Sequence, residues 1–310
     1  MNYLSVCSGV EAATVAWHDL GWTPLGFSEI EKFPNEVLAH HYPDVPNLGD
    51  MTNYKEWAFG ERSVDVVVGG TPCQSFSVAG LRKGMEDPRG NLALIFCGIL
   101  NKFRPKWFVW ENVPGVLSSN KGRDFGSFIT AVAELRYGAS YRVLDAQNFG
   151  VPQRRRRVFV VGHLGAWEPT AEVLFEPESL SRHIEESRKK RKDTPKDTRI
   201  GVKESSTEKI IPEVFENHPA DSRVKQMGDT CHSVTARWGT GGGNVPFVIQ
   251  DMAVRKLTPI ECERLQGFPD GYTDIKENCP DGPRYKAMGN SMAVPVMKWI
   301  GERIESKRIL

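Results

Sequence analysis

Residues 64–74 read Val-Asp-Val-Val-Val-Gly-Gly-Thr-Pro-Cys-Gln. Val64, Val66, Val67 and Val68 have the density of a strand buried on both faces, the usual state of a strand in a parallel sheet. Such a strand needs helices above and below it, so this segment demands a layered α/β chain. Gly69 and Gly70 permit a sharp turn with close backbone approach. Pro72 fixes its own backbone and restricts Thr71 before it. The turn therefore presents Cys73 beyond the carboxyl end of a strand, where open α/β sheets bind their ligands.

The first half of the chain follows the same logic. Strand patterns at residues 4–6, 24–30, 64–68, 107–110, 141–144 and 158–161 alternate with helix patterns at 11–20, 34–41, 91–103 and 125–135. In the third helix pattern, apolar residues at 92, 95, 96, 99, 100 and 103 form one stripe. This alternation predicts an α/β fold with a mostly parallel sheet and helices on both faces. Beyond residue 164 the character changes. Residues 176–210 are charged and poor in apolar periodicity, as in a mobile segment. Residues 231–250 look β-like and contain the glycine loop Thr240-Gly-Gly-Gly-Asn244. Helical patterning returns at 258–266 and 292–304. Domain boundaries are expected near 164 and 254.

A chain of 310 residues is long enough for one large domain and a smaller one. No apolar run has the length of a membrane span, and the first residues read as a strand rather than a signal peptide. The six cysteines, at 7, 73, 97, 231, 262 and 279, include no C-x-x-C pair. That spacing argues against a zinc cluster and a disulfide framework and fits a reducing, cytoplasmic setting. The seven histidines show no metal spacing, so no metal is expected. Net charge is +1, but basic residues cluster at 154–157 and 188–192. The second cluster reads as a solvated segment, and the first carries more chemistry.

Taken together, the motifs resemble the cytosine-C5 DNA methyltransferases, in that family's order and over nearly the whole chain. Gly70-Thr-Pro-Cys73-Gln-Ser-Phe-Ser77 resembles the nucleophile motif. Glu111-Asn112-Val113 follows a strand, as the family's Glu-Asn-Val does. Gln153-Arg-Arg155-Arg-Arg157 is similar to its Gln-x-Arg-x-Arg motif. Residues 255–269 resemble its late helix motif, and Gly289-Asn290-Ser291 with Val294 its last one.

The resemblance implies a Rossmann-like methyltransferase that moves a methyl group from S-adenosylmethionine to C5 of a flipped-out cytosine in a specific duplex DNA sequence. Cys73 would be the nucleophile adding at C6, and Glu111, Arg155 and Arg157 would hold the base. Arg154 and Arg156 would face phosphate or solvent. The cofactor would lie on the turn at Cys7, Ser8, Gly9, Val10 and Glu11. This sequence keeps Gly9 there, but has Cys7 for the family's aromatic residue and Glu11 and Ala12 for its later glycines. Glu29 is placed for the ribose hydroxyls, Ile30 next to the adenine and Asp50, followed by Met51, for the adenine amine. Pro72, Leu92, Asn290, Ser291 and Met292 would complete the site. Ser77, Gln153 and Arg237 are the expected DNA contacts. Residues 233–244 read equally as a recognition loop, with Arg237 on a guanine, or as a plain hairpin with a glycine turn.

By this reading residues 1–164 and 255–310 form the catalytic and cofactor-binding domain, and residues 165–254 a target-recognition domain. Expected partners are double-stranded DNA and a cognate restriction endonuclease, with the enzyme itself a monomer. Two rivals stay open: a methyltransferase acting on cytosine in tRNA, and a non-catalytic DNA-binding protein on the same scaffold.

Overall fold

The computed structural model describes residues 1–72, 92–175, 213–218, 223–227, 230–240, 245–250 and 253–308. The first half alternates as its sequence predicts: β1 (Asn2–Val6), α1 (Ala12–Trp17), β2 (Thr23–Ser28), α2 (Lys32–His41), β3 (Val66–Gly69), α3 (Leu92–Phe103), β4 (Trp107–Asn112), α4 (Arg123–Glu134), β5 (Tyr137–Asp145), β6 (Gln153–Arg154) and β7 (Arg156–Leu164). Six of these strands form one sheet in the order β2-β1-β3-β4-β7-β5. The pairings among β2, β1, β3 and β4 are parallel, and β7 runs antiparallel to both β4 and β5. The sheet is therefore mostly parallel, with its antiparallel strand inserted between β4 and β5.

Alternation along each strand divides the core between two faces. Val66, Val68, Trp107, Val109, Phe159 and Val161 face a cluster built with α1 and the C-terminal helices. Leu4, Val6, Val67, Phe108, Trp110 and Val160 face the opposite cluster, built with α3 and α4. Burial on both faces is why the strands read as near-continuous apolar runs.

The later chain adds α5 (Glu168–Leu174), β8 (Glu213–His218), β9 (Arg223–Gln226), β10 (Cys231–His232), β11 (Phe247–Gln250), β12 (Ala253–Lys256), α6 (Pro259–Gln266), α7 (Asp281–Asn290) and α8 (Val294–Ser306). Strands β12, β11, β8 and β9 form a separate antiparallel sheet. The expected boundary at 164 does not mark a change in packing. Helix α5 lies on the first sheet, with Ser140 Oγ and Thr170 Oγ1 2.8 Å apart and Arg142 donating to the Leu174 carbonyl at 2.7 Å. The boundary at 254 falls inside β12. None of the described helices is long and apolar enough to cross a membrane.

Residues 236–240, expected as part of a β-like stretch, form a 3-10 helix (Ala236–Thr240) instead. Its backbone packs on α7. A Cβ on Gly289 would collide with the main chain of Thr235 and Ala236, and one on Gly239 with the Gly282 carbonyl. Absent side chains make this approach possible. They also made α7 hard to see in the sequence, because Gly282, Pro283 and Gly289 lower helix propensity.

Helix α8 returns to the N-terminal half. Trp17 Nε1 donates to the Met297 carbonyl at 2.8 Å, and the ring packs edge-on to Tyr3 with centroids 5.2 Å apart. A Cβ on Gly301 would strike the Trp17 indole, so glycine makes the room. Trp17 is 1% exposed. Trp17→Ala is expected to destabilise the protein by about 3–5 kcal/mol in equilibrium urea unfolding, the usual range for emptying a large aromatic site.

Candidate active site

Strands β3 and β4 pair in parallel with Gly69 opposite Trp110. The turn after β3 and the end of β4 therefore leave the sheet side by side. A Cβ on Gly70 would stand 2.8 Å from Glu111 Oε2, so only glycine lets the turn lie against that carboxylate. The turn is held from β4 as well. Trp110 Nε1 donates to Thr71 Oγ1 at 3.0 Å, and Asn112 Nδ2 donates to the Thr71 carbonyl at 2.9 Å. Asn112 Oδ1 accepts from the Val113 amide at 2.9 Å. The asparagine of Glu111-Asn112-Val113 thus fixes the turn, while the glutamate faces the cavity.

Arg157 approaches Glu111 from the antiparallel neighbour β7. Its Nε lies 3.0 Å from Glu111 Oε1, with both side chains largely buried. Burial raises the pKa of Glu111, and the charges of Arg157 and then Arg155 oppose that rise. The carboxyl group holds its proton more tightly than a surface glutamate, with a fixed cation alongside.

A cavity of about 960 Å³ opens above these groups. Its far wall comes from the ends of β1 and β2. Glu29 Oε2 accepts from the Gly9 amide at 2.8 Å, and Oε1 accepts from the Ile30 and Glu31 amides, each at 2.8 Å. Three main-chain donors hold this carboxylate in place and leave lone pairs to accept hydroxyl donors. Ile30 lies on the same wall, 71% exposed. Cys7 places its thiol 3.4 Å from Met51 Sδ. Burial, then the charges of Glu29 and Asp50, push the Cys7 thiol up to about 12, so it remains a neutral, polarisable contact. Asp50 accepts from the Thr52 amide at 2.9 Å and stays exposed at the rim.

A family model described as C-5 cytosine-specific DNA methylase matches residues 1–306. The chain belongs to that family. A protein of Escherichia phage P1 named DNA N-6-adenine-methyltransferase is 34% identical over 97% of this chain, which spans only 61% of that relative's length. The Type II methyltransferase M.HpaII of Haemophilus parainfluenzae is 30% identical over 99% of this chain and 89% of its own. M.SsoII of Shigella sonnei is 30% identical over 98% and 79%. The crystal structure of the Schizosaccharomyces pombe Dnmt2 methyltransferase has the same fold, with a TM-score of 0.67 over 100% of this chain and 99% of that one at 16% identity. So does a putative DNA modification methyltransferase from an Escherichia coli prophage, with a TM-score of 0.64 over the full length of both chains at 18% identity.

In this chain Glu111, Arg155, Arg157, Pro72, Leu92, Cys7, Gly9, Glu29, Ile30, Asp50, Met51 and Asn290 all line this cavity. Cys73 and Ser77 lie outside the described residues. Other expected contacts sit behind the wall. Val10 is fully buried in the core, and its carbonyl accepts from Tyr272 Oη at 2.9 Å. Ser8 Oγ donates to the Ser5 carbonyl at 3.1 Å. Ser291 and Met292 are buried behind Asn290. Gln153, expected at the DNA, is fully buried. It donates to the Leu265 carbonyl at 2.7 Å and accepts from the Val234 amide at 2.8 Å, so its amide faces inward.

Arg155, expected to hold the base, uses its terminal nitrogens on main-chain carbonyls. It donates to Val234 at 2.8 Å, to Gly289 at 3.0 Å and to Ser291 at 2.6 Å. Burial, then the charge of Arg157, pull it down to about 9, so it stays charged near neutrality. Arg154 and Arg156 point outward, as period-two alternation on a strand requires. Arg237 is exposed on the 3-10 helix two residues from Gly239, which lines the cavity. The sequence reading missed Phe33, Lys276 and Lys286 on the wall. Phe33 follows the Glu29 turn closely enough to have been suspected. The two lysines are brought in only by tertiary contact, each paired to an α2-side carboxylate: Lys276 to Glu36 at 2.5 Å and Lys286 to Glu31 at 2.7 Å.

Glu11 is also displaced from its expected role. It adopts a left-handed backbone, φ 66°, and Oε1 accepts from the Thr14 amide at 3.2 Å to cap α1. Oε2 is buried without a hydrogen-bond partner among the described residues. Burial raises this carboxyl to about 7, against the hydrogen bonds of Ser5, Thr14 and Ser8. Below about pH 4.5 both folded and unfolded states hold the proton and no penalty exists. As pH rises towards 7 only the unfolded state ionises, and the folded state loses about 3 kcal/mol. Glu11→Gln keeps the cap and removes this penalty. Denaturant titrations are expected to give equal stabilities at pH 4 and a variant more stable by about 3 kcal/mol at pH 8.

Proposed function

We propose that this chain methylates C5 of a cytosine extruded from duplex DNA, using S-adenosylmethionine. The observation that carries the reading is the buried Glu111–Arg157 pair against Gly70, three residues before Cys73. Cytosine C5 is a weak nucleophile. Addition of a Cys73 thiolate to C6 converts the ring to an enamine whose C5 attacks an electrophilic methyl group. S-adenosylmethionine would supply that methyl group, with S-adenosylhomocysteine as the leaving group. A base then takes the C5 proton, and the electron pair of that C–H bond re-forms the double bond as Cys73 leaves as thiolate. Glu111, with its raised pKa, stabilises the charge that builds at N3 during attack and accepts from the exocyclic amine. Arg157 holds Glu111 in place and reaches towards O2.

The cavity suits both reactants. Glu29 presents a fixed carboxylate for ribose hydroxyls, Ile30, Cys7 and Met51 offer apolar and sulfur surface for adenine, and Asp50 an acceptor at the rim. Extrusion of the base costs roughly a few kcal/mol, which contacts with the emptied duplex offset. The antiparallel sheet of β8, β9, β11 and β12, with the 3-10 helix at 236–240, is the unit assigned to target recognition. Relatives named as Type II methyltransferases support a modification role at one duplex sequence, with a cognate endonuclease as its counterpart.

Nucleoside mass spectrometry of duplex DNA incubated with the protein and S-adenosylmethionine tests the reading. 5-Methylcytosine is expected, with none from Cys73→Ala and with kcat/KM lowered about 10²–10⁴-fold in Glu111→Gln. N6-methyladenine, the product in the phage relative's name, or methylation of tRNA in preference to duplex DNA, would overturn it.

A further inference from the structure

Three parts of the chain meet at one buried guanidinium. Arg155 is 2% exposed, and one arm donates to Val234, the residue that leads into the 3-10 helix carrying Arg237. The other arm donates to Gly289 and Ser291, which flank Asn290 on the cavity wall. Gln153, two residues earlier on the same face, takes the Val234 amide. Both main-chain groups of Val234 are therefore gripped by side chains two residues apart on one segment. Behind Arg155, its own amide donates to Asp145 Oδ1 at 3.0 Å, which fixes the backbone from which the side chain reaches. The guanidinium Nε is buried with no partner among the described residues, so the hydrogen bonds of the side chain all end on these three carbonyls.

We propose that Arg155 is a positioning residue that couples DNA binding at residues 234–240 to cofactor binding at residues 289–291. The inference rests on the cofactor-and-DNA reading above and adds a connection between the two sites. A guanidinium is planar, and its donors are fixed relative to one another. A shift of Val234 drawn by DNA tilts that plane, because a buried donor cannot give up its acceptor cheaply. The tilt moves the acceptors of the other arm. A second contact runs parallel to it: the glycine-to-backbone packing of residues 235–239 on α7. That contact transmits steric position, whereas Arg155 supplies the hydrogen bonds that orient the carbonyls on either side of Asn290. Coupling of this kind is reciprocal: whatever factor DNA adds to cofactor affinity, the cofactor adds to DNA affinity.

The test is the ratio of dissociation constants for S-adenosylhomocysteine without and with a duplex that the wild type methylates, measured by titration calorimetry. Wild type is expected to show a ratio of about 5 to 150, the common range for coupled sites. Arg155→Met, which keeps the stem and removes the fork, is expected to bring the ratio to about 1. Arg155→Lys keeps the charge but reaches only one set of carbonyls. It is expected to lose the ratio as well, and it serves where Arg155→Met does not fold. A merely structural role would weaken both ligands in parallel and leave the ratio unchanged. A wild-type ratio of 1, or a ratio preserved in the folded variant, overturns the inference. A wild type that binds neither ligand overturns the functional reading instead.

Discussion

Glu111 and Arg157 form an ion pair that neither strand could hold alone. The carboxylate rises from the end of β4, the guanidinium comes from the antiparallel neighbour β7, and the Gly70 turn from β3 lies against the carboxylate. Three adjacent strands must keep register for the pair to form. A side chain at Gly70 would push the carboxylate away, and loss of the Thr71 contacts from Trp110 and Asn112 would free the turn. Burial then gives the pair its chemical character. It raises the proton affinity of Glu111 while keeping a cation in contact, the combination needed to stabilise charge building on a ring nitrogen.

The same strands organise the rest of the molecule. Gln153, Arg155 and Arg157 alternate inward along one segment, from β6 into β7, and each has a different task. Gln153 ties the late helix α6 to Val234, Arg155 ties Val234 to the chain on either side of Asn290, and Arg157 meets the Glu111 carboxylate. In the run of four arginines, Arg154 and Arg156 are exposed, Arg155 is buried and Arg157 half-buried, the same division that the motif spacing implies. Close approach of glycine-bearing backbones, Gly239 to Gly282 and Gly289 to Ala236, seats the 3-10 helix against α7.

Much of this was legible in the sequence. Apolar periodicity located the strands and helices of the first half, because burial on both faces leaves a continuous apolar signal. Glycine and proline marked the turn before Cys73. Motif order pointed to the family and to Glu111, Glu29 and Asn290 at the cavity. What escaped the reading depends on where side chains point. The spacing of Gln153 and Arg155 gives no sign that their donors end on main-chain carbonyls more than 70 residues away. Glu11 stands where a glycine was expected, and nothing local says that its carboxyl turns into the core to cap α1. Helix α7 carries glycines that lower its propensity and serve its packing, so local and tertiary demands conflict there.

The central claim is that Cys73 bonds to C6 of an extruded cytosine beside Glu111. A duplex carrying 5-fluorocytosine at the methylated position tests it most directly, since fluorine at C5 cannot leave as the proton does and the thioether persists. Incubation with S-adenosylmethionine is predicted to give a denaturant-stable protein–DNA adduct that proteolysis and mass spectrometry place on Cys73. An adduct on another residue, or none on a duplex whose unfluorinated form is methylated, would contradict the account.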